Sequence, residues 1–168
     1  MKSDDYANAP RFCSTCGGAV TKTDDEYSRY ACGPCGAVHY LNPKVSAGVI
    51  VVADRSILLV RRAIEPYAGH WNLPAGYVEY EETCEEAAVR EAREEAGVEV
   101  ALRGLHGVYS CIDDPRAHYV LVIYRADIRS GELRGGDDVD EARFFARDTL
   151  PTHIAFDGMR RAIRDLTL

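Results

Sequence analysis

The stretch from position 76 to position 98 constrains this chain more than any other. It reads Gly-Tyr-Val-Glu-Tyr-Glu-Glu-Thr-Cys-Glu-Glu-Ala-Ala-Val-Arg-Glu-Ala-Arg-Glu-Glu-Ala-Gly-Val. A glycine loop opens it, an acidic helix follows from about Glu82 or Thr83, and Gly97 closes the helix before a β-rich run resumes. At about 100° per residue, Glu91, Glu94 and Glu95 fall within a sector of roughly 100°. Like charges four apart on a helix repel, so Glu91 and Glu95 together cost stability. A divalent cation held between them would remove that cost. Hard cations such as Mg²⁺ take one or two carboxylates and complete their shell with water and substrate phosphates. Taken alone, the acidic cluster would favour the bland reading, the solvated face of an ordinary charged helix.

The fixed positions of the stretch decide between those readings. It resembles the Nudix box, G-x5-E-x7-R-E-U-x-E-E-x-G-U with U aliphatic. Gly76, Glu82, Arg90, Glu91, Ala92, Glu94, Glu95, Gly97 and Val98 fill it, with Ala92 a small residue at the first U. The resemblance implies a mixed sheet between helices, an α/β (α+β) sandwich with the box as loop–helix–loop. It also implies hydrolysis of a nucleoside diphosphate linked to another group, with Mg²⁺ or Mn²⁺ as cofactor. By the same resemblance, Glu91, Glu94 and Glu95 hold the metal and the Ala75 carbonyl adds an oxygen. Arg90 orients a glutamate of the box, and Glu82 braces the loop and reaches a metal through water. The catalytic base varies in this family. Asp137-Asp138-Val139-Asp140-Glu141 is a candidate loop for it, with Glu141 at the position that matches, and a solvated acidic turn is the alternative reading.

Six cysteines are present and four form a pattern. Cys13/Cys16 and Cys32/Cys35 are two C-x2-C pairs at the spacing of a four-cysteine zinc site. The glycines that follow, Gly17-Gly18 and Gly36, allow the tight turns in which N–H groups point at thiolates. Four thiolates close a tetrahedral Zn²⁺ shell, so this metal would be structural. The alternatives are a pair of disulfides or four unrelated thiols. Cys84 and Cys111 fall outside the pattern and read as small apolar fillers.

Domain organisation follows from these motifs. Residues 1–11 read as a flexible N-terminus, 12–40 as a zinc ribbon with too few apolar residues for a core of its own, and 43–168 as the hydrolase domain, with a turn at Asn42-Pro43 between them. In the larger part, Val45 to Ala53 and Ile57 to Val60 read as strands around a turn at Asp54-Arg55-Ser56. Further strands are expected near 98–102, 105–111, 119–126 and 143–145, with an amphipathic helix from about Asp157 to Leu166. Ala87, Ala88, Ala92 and Ala96 let the acidic helix approach a sheet closely.

Arg61 and Arg62 at a strand end are candidates for phosphate contacts. Tyr77, Tyr109 and Phe156 are candidates for stacking on a nucleobase, although tyrosines also serve as ordinary sheet residues. Trp71 is expected in the core. The 168-residue chain carries a formal net charge of −7, which does not favour nucleic acid or anionic membrane as a general partner. No apolar run approaches a membrane span, and the N-terminal residues lack the apolar core of a signal peptide, so the chain reads as cytoplasmic.

The ribbon and the flanking motifs resemble short zinc-ribbon Nudix hydrolases, including plant FAD pyrophosphatases. The shared features are Phe12-Cys13-x-x-Cys16-Gly17-Gly18, Tyr40-x-Asn42-Pro43-Lys44, Trp71-x-Leu73-Pro74-Ala75-Gly76-Tyr77 and Ile154-Ala155-Phe156. The resemblance implies ADP-ribose or FAD as substrate and AMP as a product. NADH pyrophosphatases also join a ribbon to this domain, but their S-Q-P-W-P-F-P-x-S motif is missing here. NADH and dinucleoside polyphosphates are the alternative substrates. A second hypothesis is a non-catalytic module that senses a ligand or binds nucleic acid, which the intact box and the non-basic segment between the cysteine pairs argue against. A third treats the ribbon as a dimerisation element, compatible with an enzyme and with a homodimer.

Overall fold

The structure is a computed structural model and describes residues 9–24, 27, 29–136 and 138–167. Most of the segment read as a flexible N-terminus, and Asp137 of the candidate base loop, lie outside the described residues. The chain divides into two compact units, one of residues 1–43 with 115–117, the other of 44–114 with 118–168.

The smaller unit is a three-stranded antiparallel sheet of β1 (Val20–Lys22), β2 (Arg29–Cys32) and β3 (Val38–Tyr40), in that order. Each cysteine pair forms a tight turn. Gly17 donates to the Cys13 carbonyl at 2.9 Å and Gly36 to that of Cys32 at 2.8 Å. Both glycines stand at left-handed φ, 72° and 73°, which a side chain would strain.

The larger unit is built on one mixed sheet. Its strands are β4 (Lys44–Ala53), β5 (Ser56–Arg62), β6 (Trp71–Asn72), β7 (Ala75–Tyr77), β8 (Val98–Cys111), β9 (Tyr119–Gly131) and β10 (Val139–Ala146), with helices α1 (Cys84–Ala96) and α2 (Asp157–Arg164). The order is β10-β5-β4-β9-β8, with β6 beside β5 and β7 beside β4. The β4–β9 pair is parallel and every other pair antiparallel. The β4–β5 turn takes two residues, Asp54 and Arg55, both at positive φ. That turn matches the twist of the flanking strands.

Pleat alternation sends successive side chains of β4 to opposite faces. Val49 and Val51 join Leu58, Val60 and the helix α1, while Ile50 joins Ile57, Leu59, Leu121 and the α2 residue Met159. Ala87, Ala88, Ala92 and Ala96 are fully buried, so α1 lies close on the sheet. The expected breaks near Leu102–Leu105 do not end a strand. Instead β8 continues through Gly104 and Gly107, and its register with β9 shifts on either side of Leu105, as bulges allow. Among the described residues, no helix is long and apolar enough to cross a membrane.

One feature of this sheet positions the site. β4 and β5 pair only at Val52↔Ile57 and Ala53↔Ser56. Beyond those pairs they diverge, and β6 and β7 fill the gap, one on each side.

Candidate active site and metal centres

α1 begins with a capping box. Thr83 accepts from the Glu86 N–H at 3.2 Å, and Glu86 accepts in return from the Thr83 N–H at 2.8 Å. Two orphan donors are thereby satisfied and the helix start is fixed. Its phase is then set, and with it the carboxylates of its last two turns. Glu95 is buried at 5% exposure, and its Oε2 accepts from the Ala75 N–H at 2.9 Å. Glu91 lies against Gly76, where a methyl group would come within 2.7 Å of its Oε2 and closer still to its Oε1. Glu94, between them in sequence, points outward and is 42% exposed.

Burial raises the pKa of Glu91. Glu95 stands well above the ordinary carboxylate range, through burial first and the neighbouring Glu91 charge second. Two carboxylates are thus held together in a poorly solvated place, opposed by their own repulsion. A divalent cation suits this donor set: hard oxygen ligands, charge to be neutralised, and the Ala75–Gly76 strand alongside.

Arg90 ties the loop to the helix. Its guanidinium donates to Glu82 Oε1 and Oε2 (2.6 and 3.0 Å), to Glu91 Oε1 (2.7 Å), to Glu94 Oε2 (2.9 Å) and to the Tyr77 carbonyl (3.0 Å). Glu82 in turn accepts from the Glu79 N–H at 2.8 Å, and its pKa is lowered by Arg90. Arg90 has its donors turned to the protein. It holds Glu91 and Glu94 in orientation and fixes the loop that carries Gly76.

A third carboxylate approaches from the segment before β10. The Arg134 N–H donates to the Ala96 carbonyl at 3.2 Å. Gly136 crosses directly over the Glu94 carbonyl, to which a methyl group would come within 2.5 Å. The Ala63 N–H donates to the Asp138 carbonyl at 2.8 Å. The segment is therefore laid over the C-terminal end of α1, and the Asp138 charge raises the pKa of both Glu91 and Glu95. Glu141 lies elsewhere. A register shift between Val139 and Glu141 pairs it with Arg61, on the Trp71 face of the sheet. There it contacts Arg61 at 3.2 Å and Arg143 at 3.4 Å.

The remaining residues singled out in the sequence are dispersed. Arg61 is half-exposed in that ion-pair group. Arg62 is buried; it donates to the Pro66 carbonyl at 2.9 Å and lies over the Phe156 ring at 5.2 Å. It acts on Glu95 through its charge and pins the loop after β5. Tyr109 and Phe156 are buried in the α2-side core. Tyr77 directly follows Gly76 and is partly exposed, with Lys44 Nζ 4.5 Å from its ring centre. Sequence reasoning did not single out Asn72. It is 2% exposed on β6, and among the described residues its buried Oδ1 has no hydrogen-bond partner.

In the smaller unit, Cys13, Cys16, Cys32 and Cys35 bring their sulfurs within 4.8 Å of one another. Cys13 and Cys35 are 3.7 Å apart, and Cys16 and Cys32 3.5 Å. A tetrahedral site with Zn–S near 2.3 Å has edges of about 3.8 Å, so the spacing fits a four-thiolate Zn²⁺ shell. It does not fit disulfides, and all six cysteines are free. Burial opposes ionisation of Cys13. The N–H groups of Thr15 and Cys16, with His39, outweigh it and lower the thiol to about 5.

Comparison with known proteins agrees with this geometry. A NUDIX domain model matches residues 42–166, and a Nudix N-terminal zinc-ribbon model matches residues 11–41. An ADP-ribose pyrophosphatase of Methanocaldococcus jannaschii is 45% identical over 119 residues, 70% of each chain. An NAD-capped RNA hydrolase NudC of Pseudomonas aeruginosa is 33% identical over 165 residues, 97% of this chain and 57% of that protein. The chain thus spans little more than half the length of that relative. The crystal structure of a NUDIX hydrolase from Nitrosomonas europaea superposes with a TM-score of 0.81 at 38% identity, over 92% of this chain and 89% of that one. The chain belongs to the Nudix hydrolase family, enzymes that cleave the pyrophosphate of nucleoside diphosphate derivatives. An N-terminal zinc-ribbon module precedes its catalytic domain.

Proposed function

We propose that this enzyme hydrolyses a nucleoside diphosphate joined to a second group, with ADP-ribose or FAD preferred and AMP as one product. The observation that carries the reading is the convergence of Glu91 and Glu95 on the Ala75–Gly76 strand, with the charge of Asp138 acting on both. The 45% identity to an ADP-ribose pyrophosphatase supports the choice of substrate. Glu91, Glu95 and the outward Glu94, with the Ala75 carbonyl, are the groups that would hold Mg²⁺ or Mn²⁺. When bound, the cation neutralises pyrophosphate oxygens and lowers the pKa of coordinated water.

The chain's own residues do the rest. Glu95 and Glu91 keep fixed orientations through the Ala75 N–H and Arg90. Asp138 accepts the proton of the attacking water as general base, within the range of catalysis such groups supply, about 10²–10⁴-fold. Water oxygen bonds to one phosphorus as the bridging P–O bond breaks, and the departing phosphate takes the electron pair. Tyr77, beside Gly76, offers a ring to the nucleobase. In the smaller unit, Cys13, Cys16, Cys32 and Cys35 bind one structural Zn²⁺, which supplies folding energy that this small core lacks.

Side-by-side kcat/KM values for ADP-ribose, FAD, NADH, NAD-capped RNA, dinucleoside polyphosphates and nucleoside triphosphates test the reading. ADP-ribose or FAD is expected to lead. A nucleoside triphosphate or NAD-capped RNA well ahead of both would overturn the substrate class and leave the metal-assisted chemistry standing.

A further inference from the structure

The four thiols of the smaller unit are not equivalent. Cys13 is buried while Cys16 and Cys35 are exposed. Cys13 also collects three donors: the Thr15 N–H at 3.4 Å, the Cys16 N–H, and His39 Nε2 at 3.3 Å from its Sγ. His39 reaches a sulfur of the cluster from outside the four cysteines. It sits in the middle of β3, opposite Tyr30 of β2, so its ring is aimed by the sheet and not by a loop.

A thiolate bound to metal carries no proton. A hydrogen bond at 3.3 Å between His39 and such a thiolate therefore requires the proton on Nε2. Four thiolates around Zn²⁺ leave two negative charges on the centre. N–H donors to sulfur spread that charge and hold the ligands in place, as partners outside the ligand shell commonly do.

We propose that His39 is a positioning residue of the zinc centre, donating its Nε2–H to the Cys13 thiolate, so that Cys13 is the anchored ligand of the four. The inference rests on the zinc reading of the cluster. It assigns His39 no part in hydrolysis and no bond to the metal.

The test uses the full-length protein with its metal. His39→Phe keeps a ring of similar size and removes the N–H; His39→Asn keeps an N–H donor and loses the ring. Zinc release to a colorimetric chelator is followed for each, and the Co²⁺-substituted forms are compared by their thiolate-to-cobalt charge-transfer absorption. His39→Phe is expected to release zinc on the order of 10-fold faster or more and to shift the charge-transfer band to lower energy, because a sulfur without its donor gives up charge more readily. His39→Asn is expected to return both readouts most of the way to wild type. A charge-transfer band and release rate unchanged in His39→Phe overturn the inference. If His39→Phe fails to fold, His39→Asn decides: wild-type-like readouts support the N–H role, and loss of zinc there too overturns it in favour of packing by the ring. A wild-type protein free of zinc overturns the zinc reading itself and this inference with it, whereas zinc present with His39→Phe indistinguishable removes this inference alone.

Discussion

Replacing Gly76 by alanine separates the catalytic role proposed for Glu91 from its contribution to stability. Gly76 pairs with Ala47 in the β4–β7 ladder, and its φ is not among the positive ones, so the backbone accepts a side chain there. The added methyl meets the Glu91 carboxylate, within 2.7 Å of Oε2 and closer to Cδ and Oε1, where ordinary contact begins at 3.4 Å. The carboxylate must therefore retreat by roughly an ångström or more, and its 2.7 Å bond from Arg90 is lost or re-formed in another geometry. The obstacle is the far end of a flexible side chain, which can move without dragging backbone. Alanine also lowers the entropy of the unfolded chain, worth about 0.4–1 kcal/mol in favour of folding. The two effects oppose each other, and the net change in stability is expected within about 1 kcal/mol, a few degrees in Tm at most for a chain of this size.

Catalysis has no such compensation. Misplacing a reacting group by about 1 Å can cost on the order of 10²-fold, which is about 2.7 kcal/mol of transition-state stabilisation. Gly76→Ala is thus expected to lose on the order of 100-fold in kcat/KM for the best substrate, and to need more Mg²⁺ for half-maximal rate, while melting near wild type. Steady-state kinetics across a Mg²⁺ titration, with a thermal melt on the same preparation, measure both. Activity within threefold of wild type at unchanged Mg²⁺ dependence would refute the placement of Glu91 in the site. A melt lowered by many degrees would refute the argument that its carboxylate is free to retreat.

Three further outcomes are expected. The folded-state pKa of Glu95 is raised above the ordinary value of 4.5, so the native protein holds that proton more tightly than the unfolded chain. In Mg²⁺-free buffer, stability should fall as pH rises from 4.5 through the raised value. Glu95→Gln should flatten that fall and raise the Mg²⁺-free melting temperature at neutral pH while lowering turnover by orders of magnitude; a steeper fall in the variant would contradict the burial argument. Asp138→Asn should reduce kcat by about 10²–10⁴-fold, whereas Glu141→Gln should stay within a few-fold. The reverse order would move the base to Glu141. Cys32→Ser should lose the zinc found by elemental analysis in the wild type and loosen residues 12–40, leaving Mg²⁺-dependent hydrolysis partly intact; full zinc occupancy in the variant would contradict the four-cysteine assignment.

The local parts of this arrangement were readable and the long-range parts were not. Helical phase alone puts Glu91 and Glu95, four apart, on one face, and the structure turns that face to the Ala75–Gly76 strand. Glu94 falls on the flank of the same sector and ends up half in solvent. Cysteine spacing likewise carries its own geometry, because each C-x2-C pair closes within a single turn. The candidate base is different. Whether Asp138 or Glu141 faces the helix depends on the register shift after Val139 and on where Gly136 crosses Glu94, and neither leaves a trace in spacing. Aromatic residues mislead for a related reason. Tyr109 and Phe156 have the chemistry to stack on a base, yet alternation on β8 and the entry to α2 turn them into the core. Gly104 falls in the break expected between 102 and 105, and β8 absorbs it and Gly107 as irregularities because β9 runs alongside for its full length.

The divergence of β4 and β5 explains why these pieces meet where they do. A continuous sheet would pair every N–H along β4 and β5 and leave none for a side chain. With the two strands parted, short β6 and β7 line the gap, and the Ala75 N–H is left to Glu95. The sheet opening therefore admits a carboxylate to a depth where water cannot solvate it, and Glu91 and Asp138 add like charge beside it. Arg62 and Arg90 reach the group from its edges, with most of their identified hydrogen bonds going to loop carbonyls and to Glu82 and Glu94. Buried like charges without a full counter-charge are costly unless one protonates or a cation joins them. Protonation would spoil the ligands for the chemistry at neutral pH. A divalent cation, the cofactor proposed for this site, would answer the same imbalance and bring substrate phosphates with it, so the feature that most destabilises the metal-free site would be the one that selects the metal.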